Sequence, residues 1–466
     1  MLSWAHPPNP LRKANWMRLI IIPLLLALPN FGQTTIGEKP QPQAPKQTAG
    51  DAKIIELKNK ASLGDAEAQC RLGIACRKGE GVPQDYIEAV TWLHKSAEQG
   101  NLTAQYWLGL CYAQGEGVPQ DANEAAKWFK KPADKGDPKA QYQLGALYEQ
   151  DKGLPKDNIK AVKWYRKAAE QGNELAELSL AIDCFQGLGT PQDFAEAAKW
   201  YRKAADQGNV KAQLSLAGMY AQGQGIPQDE TDAVNWYRKA AEQGNMTGII
   251  KVALSYYEGA GVPQDFVESM KWFRKAADKG DAKAQFWVGV IYEQNRGGVP
   301  QNYMESVKWY RKAADQGYDM AQHNLGLNYC QGQGVQQDIA EGVRWYRKAA
   351  NQGNSDAQLA LGNLYSLGQG VAVDNTEAAK WFKKAAEQGN AKAQLGLGIY
   401  YMLGEGVPQD FLEAYVWLNL SAENGEPEAH KFREEAGRKL APQALEQAQA
   451  RAQRIGSGIQ AKLGKI

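Results

Sequence analysis

Apolar residues recur at helical spacing along most of the chain, in pairs of short segments joined by glycine-containing turns. Residues 390–425 show one such pair. Ala393, Leu397 and Tyr401 fall on one face of its first segment, and Trp417 lies on the apolar stripe of its second. Segments of about 12 to 15 residues are too short to stay helical alone in water. The pattern therefore predicts short helices that are stable only when they pack against one another.

Both predicted helices of this pair carry capping residues at their ends. Asn390 is placed to cap the first helix, and Gly404 suits its end because glycine adopts a left-handed backbone conformation without strain. The turn that follows contains Pro408. Asp410 then begins the second helix, and Glu413 stands three residues later, a spacing that resembles a capping box.

A tryptophan marks the same point of every pair. It recurs every 36 residues, with one interval of 37, at Trp92, Trp128, Trp164, Trp200, Trp236, Trp272, Trp309, Trp345, Trp381 and Trp417. The period predicts ten tandem helix–turn–helix repeats, which are 65–100, 101–136, 137–172, 173–208, 209–244, 245–280, 281–317, 318–353, 354–389 and 390–425. Because stacked repeats bury one continuous core, we expect an all-α solenoid of antiparallel helix pairs.

The segments outside the repeats differ from them in composition. Residues 53–64 are predicted to form an N-terminal capping helix, and residues 426–466 are predicted to form C-terminal capping helices. Caps with polar outer faces keep the ends of such a stack soluble. Residues 33–52 are rich in Pro and Gln and are predicted to be a disordered linker.

Residues 1–32 have the features of a targeting segment. Arg12, Lys13 and Arg18 precede the apolar run Leu19–Leu28, which is too short to span a bilayer comfortably. This arrangement predicts a signal peptide and therefore a periplasmic or secreted protein. The alternative is an uncleaved N-terminal segment that anchors the protein to the membrane.

The repeat unit resembles the Sel1-like repeat of the tetratricopeptide-like superfamily. That family's pattern runs Ala-x-Ala-Gln-x-x-Leu-Gly, Tyr, Gly-x-Gly-Val-x-x-Asp, Ala-x-x-Trp, Ala-Ala and Gly, and residues 393–425 follow it almost step for step. The match extends over residues 65–425. The resemblance implies a right-handed α-solenoid superhelix whose first helices line a concave face. It also implies a role among the adaptors and secreted bacterial interaction proteins of that family.

Few residues in the chain suggest catalysis, a cofactor or a metal site. The histidines are His6, His94, His323 and His430. None of them stands beside a plausible nucleophile or a second ligand in the sequence. The five cysteines have neither zinc-site nor disulfide spacing, and Cys76 and Cys184 replace tyrosines of other repeats, which favours packed side chains. We therefore predict no enzyme, no cofactor and no metal site.

The charge pattern gives no support for a nucleic-acid partner. Lys and Arg number 54 against 52 Asp and Glu, which leaves a net charge of +2. Lys163, Arg166 and Lys167 recur in equivalent form around most tryptophans, and a stripe of this kind would suit phosphates. Glu170 follows one turn later and offsets it, so a solvated outer face is the favoured interpretation.

Two aromatic pairs are the candidate partner-binding residues. Tyr106-Trp107 in repeat two and Phe286-Trp287 in repeat seven occupy the same point of the first helix, just before a Leu-Gly or Val-Gly step. Varied residues stand at the tryptophan position elsewhere, which predicts exposure, and tryptophan is a frequent interface anchor. We therefore expect a monomeric scaffold that binds proteins or peptides.

Two alternatives to this interpretation stay open. In the first, Trp107 and Trp287 fill gaps between adjacent repeats and bind no partner. In the second, the protein is a cell-envelope glycan-binding protein or hydrolase that stacks sugar rings on Trp107 or Trp287.

Overall fold

The computed structural model describes residues 49–150, 154–295 and 297–463. The predicted signal peptide and almost all of the predicted linker lie outside these residues. Within them the chain forms 23 α-helices and no β-strand. Within residues 49–258 and within residues 266–438, each helix packs on the next one in sequence, and a first helix contacts the second helix of its own repeat more extensively than it contacts the helix before it.

The first helices of the ten repeats are α2 (Ala66–Lys78), α4 (Leu102–Gln114), α6 (Pro138–Glu149), α8 (Glu174–Gln186), α10 (Val210–Gln222), α12 (Met246–Glu258), α14 (Ala282–Gln294), α16 (Asp319–Gln331), α18 (Ser355–Leu367) and α20 (Ala391–Leu403). The second helices are α3 (Tyr86–Glu98), α5 (Ala122–Asp134), α7 (Asn158–Glu170), α9 (Phe194–Asp206), α11 (Glu230–Glu242), α13 (Phe266–Ala277), α15 (Tyr303–Asp315), α17 (Ile339–Asn351), α19 (Asn375–Ala386) and α21 (Phe411–Glu423). The prediction of an all-α solenoid built from ten helix pairs is confirmed.

The helices at the two ends differ in extent from their predicted positions. Helix α1 (Ala49–Ser62) begins four residues before the predicted start at residue 53. At the other end lie α22 (Ala429–Arg438) and α23 (Pro442–Leu463). At 22 residues, α23 is longer than any repeat helix and packs along α21.

The chain divides into two compact units. One comprises the described residues up to Asp265 and contains α1 to α12. The other comprises the described residues from Phe266 onward and contains α13 to α23. The boundary lies between the two helices of repeat six.

The predicted caps form, but the capping box does not. The Asn390 carboxamide oxygen accepts from the Ala393 N–H at 3.1 Å, and Gly404 is left-handed at φ 75°. Asp410 caps α21, whereas its own N–H donates to the Tyr401 carbonyl at 2.9 Å. Glu413 instead forms an ion pair with Arg451 of α23 at 2.5 Å. The carboxylate that a capping box would use thus binds the C-terminal helix α23 instead.

Glycine in the first helix permits close contact within seven of the ten helix pairs. A Cβ on Gly398 would lie 2.6 Å from the side chain of Leu418, and one on Gly289 would lie 2.6 Å from the Tyr310 ring. Gly406 serves a different contact, because a Cβ there would lie 2.0 Å from the Asn375 carbonyl oxygen of the preceding repeat. These approaches fix the spacing of helices within a repeat and of turns between repeats.

No helix in the described part of the chain is long and apolar enough to cross a membrane.

Candidate functional site

Buried glutamines hold the first helices in place. Their side-chain N–H groups donate to a backbone carbonyl eight residues earlier, in the preceding helix, at 2.9–3.2 Å. These glutamines are Gln69, Gln105, Gln141, Gln213, Gln285, Gln322, Gln358 and Gln394. We call these contacts the glutamine rungs.

The second half of most rungs is a carboxamide from the end of the second helix. The Gln69 oxygen accepts from Gln99 at 2.8 Å, and the Gln285 oxygen accepts from Gln316 at 2.8 Å. Repeat two lacks this half because Lys135 stands at the corresponding position, and the buried Gln105 oxygen has no hydrogen-bond partner. An unpaired buried acceptor reduces stability, so repeat two is held less firmly at this point.

Trp107 is half-buried and lies beneath cationic side chains. The Arg77 guanidinium lies 5.0 Å from its ring and the Lys78 ammonium 5.6 Å. Arg77 is held there by an ion pair with Glu116 at 2.7 Å. The ring also packs against the apolar cluster that contains Leu93 of the preceding helix. Trp107 thus presents a rigid ring edged by positive charge.

Trp287 is also half-buried, but an aromatic ring covers it. Its ring stacks on Phe273 of the preceding helix, with centroids 5.8 Å apart and planes 10° from parallel. Leu93 occupies the corresponding place before Trp107, so that indole has an aliphatic neighbour where Trp287 has a stacked ring, and Arg77 and Lys78 lie over it. The residue at this place of the preceding helix therefore decides whether a ring stacks on the tryptophan.

The aromatic residues that precede the tryptophans differ in burial. Phe286 is 5% exposed and packs between Tyr310 and Tyr318, with centroids 5.7 and 5.3 Å away. Tyr106 is half-buried and lies 5.8 Å from the Phe129 ring. Phe286 is therefore part of the core. Of the aromatic pair in repeat seven, Trp287 is the member that reaches the surface.

The tryptophan position as a whole is less open than its sequence variation predicts. Most of its occupants are half-buried, and only Arg71 and Lys251 are exposed. The contacts of Trp107 and Trp287 resemble those expected if they fill gaps, but both rings keep accessible area. The prediction that they bind a partner stays a prediction.

On the second helices, lysines lie over the repeat tryptophans. The Lys239 ammonium is 3.7 Å from the Trp236 ring centroid, and the same contact recurs in most repeats. Arg238 donates to the Tyr256 hydroxyl of the next repeat at 2.9 Å. Where Cys184 replaces this tyrosine, Arg166 pairs with Glu196 instead. Much of the outer positive charge is thus engaged in packing.

Among the described residues, a buried tyrosine contacts a half-buried glutamate in two repeats that lie four repeats apart. The Tyr165 hydroxyl donates to Glu149 at 2.6 Å in repeat three, and the Tyr310 hydroxyl donates to Glu293 at 2.7 Å in repeat seven. Burial raises the pKa of both tyrosines and of Glu293. In both cases the first helix of the following repeat adds a buried polar residue.

That following residue is Asp183 in one case and Asn328 in the other. Asp183 is 3% exposed and its Oδ2 atom has no hydrogen-bond partner. Burial, and then the negative charge of Glu149, raise the pKa of Asp183 to about 7. Asn328 is fully buried, and both of its side-chain polar atoms lack partners.

The cysteines are packed side chains. Cys70, Cys76, Cys111 and Cys184 are buried, and burial raises the pKa of the Cys76 thiol to about 11 and that of Cys184 to about 12. The described residues contain no group of His, Cys, Asp and Glu able to hold a metal ion. The predicted packing of Cys76 and Cys184 is confirmed.

The family model for the Sel1 repeat matches the chain ten times in succession. The matched residues are 66–101, 102–137, 138–173, 175–209, 210–245, 248–281, 282–318, 319–354, 355–390 and 391–426. The chain belongs to the Sel1 repeat family. A comparison with curated proteins returned no match.

Two solved structures share the Sel1 repeat fold with this chain. A protective antigen present in uropathogenic Escherichia coli strains, which displays an SLR fold, is 35% identical over 89% of this chain and 97% of the antigen, with a TM-score of 0.58. A Sel1 repeat protein from Oxalobacter formigenes is 35% identical over 67% of this chain and 90% of its own, with a TM-score of 0.51.

The Sel1 period offers a signal for the buried polar residues that sequence reasoning missed. Most repeats carry Ala, Cys, Leu, Met, Ile or Tyr at the position of Asp183 and Asn328. Ser255 is a third polar residue at this position. Polar side chains at a position that is apolar in most repeats indicate a departure from the repeat core. Alignment of the ten repeats by their tryptophans brings Asp183 and Asn328 into one column.

Proposed function

We propose that the protein is an exported, non-catalytic scaffold that binds other proteins through the accessible face of its first helices. The carrying observation is the placement of Trp107 and Trp287, half-buried rings fixed by neighbouring side chains on rigid helices. A preorganised aromatic anchor loses little conformational entropy when a partner binds. Ser179 and Ser215 at equivalent positions show that the fold does not require an indole there.

Affinity capture from the native cell envelope tests the proposal. The variant is W107S/W287S, which places at both positions a residue that other repeats already carry. The matched control is K163S, on the exposed side of a second helix. We expect the tryptophan variant to lose the captured proteins while the control retains them, with circular dichroism showing unchanged helix content in both.

Equal capture by all three proteins would contradict binding at the tryptophans. Retention on envelope glycans, with no protein recovered, would replace the scaffold by the glycan-binding alternative.

Export is the second part of the proposal and has its own test. Its support is the positively charged segment before Leu19–Leu28, which lies outside the described residues. Mass spectrometry of the protein recovered from a periplasmic fraction should show a start beyond residue 28. An intact leader on protein confined to the cytosol would contradict export, and an intact leader in the membrane fraction would favour the anchor.

A further inference from the structure

The contact between repeats three and four contains two acidic groups, one of them at a position that is apolar in most other repeats. Glu149 is the last residue of α6, and Asp183 lies in the last turn of α8. The carboxyl end of a helix carries partial negative charge, which disfavours an ionised carboxylate there. Asp183 is also buried, so ionisation leaves a negative charge in a poorly solvated place.

The surroundings of Asp183 provide little compensation for that charge. Glu149 of α6 is a second acidic group, and it accepts a hydrogen bond from the Tyr165 hydroxyl of α7. From α9, Tyr201 is uncharged. Lys156, in the turn before α7, is the nearby cation that favours ionisation. Two further charged groups, Arg166 and Glu196, pair with each other beside Cys184.

We propose that the contact between repeats three and four is a pH-sensitive joint, which packs firmly when Asp183 is protonated and loosens when Asp183 ionises. The equivalent contact between repeats seven and eight keeps the tyrosine–glutamate pair but has Asn328, whose side chain does not ionise. The chain thus contains a natural reference for the same architecture without the switch.

The sign of the effect follows from proton binding. The pKa of Asp183 rises from 3.8 to about 7 in the folded chain, so the closed joint binds a proton more tightly than the open one. The stabilisation is complete in acid and is lost as pH rises from about 4 to about 7. Between pH 5 and pH 8 the equilibrium constant for local opening should increase by up to about 100-fold, if the open form has an ordinary aspartate.

Hydrogen exchange of the full chain measures this opening at the level of individual helices. Rates are corrected for the intrinsic pH dependence of amide exchange and compared at pH 5 and pH 8. We expect α7 and α8 to open more at the higher pH than α15 and α16 do. The variant D183N should remove the extra opening of α8, and N328D should introduce pH-dependent opening at α16.

The paired variants also control for folding and for Glu293, which titrates at the reference contact. Asn already occupies the reference position in a folded repeat, so D183N is a conservative change. Thermal unfolding should show D183N stabilised relative to wild type, and by more at pH 8 than at pH 5. An infrared difference spectrum between wild type and D183N at pH 5 should contain a protonated carboxyl band.

The joint is excluded if the ratio of α8 to α16 opening does not change with pH in the wild type. It is equally excluded if D183N alters α8 by the same factor at pH 5 and pH 8.

Discussion

Repeats two and seven carry the same aromatic–tryptophan pair on the same helix, with the two rings in edge-on contact in both, but the pairs differ in burial and in what lies over the indole. In repeat seven, Phe286 is buried, Trp287 stacks on a phenylalanine, and the Gln285 rung is complete. In repeat two, arginine and lysine cover Trp107, and the Gln105 rung lacks its second half. A repeat motif therefore specifies where a residue lies, whereas the neighbouring repeats decide what it contacts.

The largest expected difference between these repeats comes from removing the first aromatic ring. F286A deletes a buried ring from the core and should lower the free energy of unfolding by about 3–4 kcal/mol. Y106A removes a half-buried ring, and we expect about half that loss. Urea unfolding followed by circular dichroism measures both, and equal losses would show that burial does not separate the two repeats.

Replacing the tryptophans should give a smaller difference of the same sign. W287A loses an aromatic stack and should cost about 3 kcal/mol, whereas W107A loses cation–π contacts and should cost about 2 kcal/mol. The loss in W107A should also decrease in high salt, because ionic screening weakens its charged neighbours. A salt dependence confined to W287A would contradict the assignment of these environments.

The smallest effect concerns the incomplete rung. K135Q supplies the missing carboxamide to Gln105 and should raise the free energy of unfolding by about 1 kcal/mol. The reciprocal change, Q316K, breaks the complete rung at Gln285 and should lower it by about 1–2 kcal/mol. Chemical denaturation of the pair is the measurement; stabilisation by Q316K would show that the rung has no energetic role.

The sequence predicts the features that depend on local chemistry. The 36-residue period, the Asn390 and Asp410 caps and the glycine at the end of the first helix all follow from residues close together in the chain. These contacts are the same in nearly every repeat, so ten copies reinforce one interpretation.

Features that depend on distant residues were not predictable in the same way. Glu413 forms an ion pair with Arg451 of the C-terminal helix α23, and this ion pair takes the place of the expected capping box. The burial of Phe286 depends on Tyr310 and Tyr318, and the cover of Trp107 depends on Arg77. Variation at the tryptophan position indicated tolerance of different side chains, but tolerance is not the same as exposure.

The glutamine rungs also bear on how such a chain changes length during evolution. Each rung reaches a carbonyl eight residues earlier and a carboxamide about one helix pair later, so it crosses at most one boundary between units. A duplication or deletion of one complete repeat leaves each glutamine facing a carbonyl and a carboxamide of the same kind as before. A duplication or deletion of half a repeat would place a first helix where a second helix belongs. The glutamine rungs at that junction would then lose their hydrogen-bond partners. Growth in whole units therefore extends the molecule without rebuilding its interior.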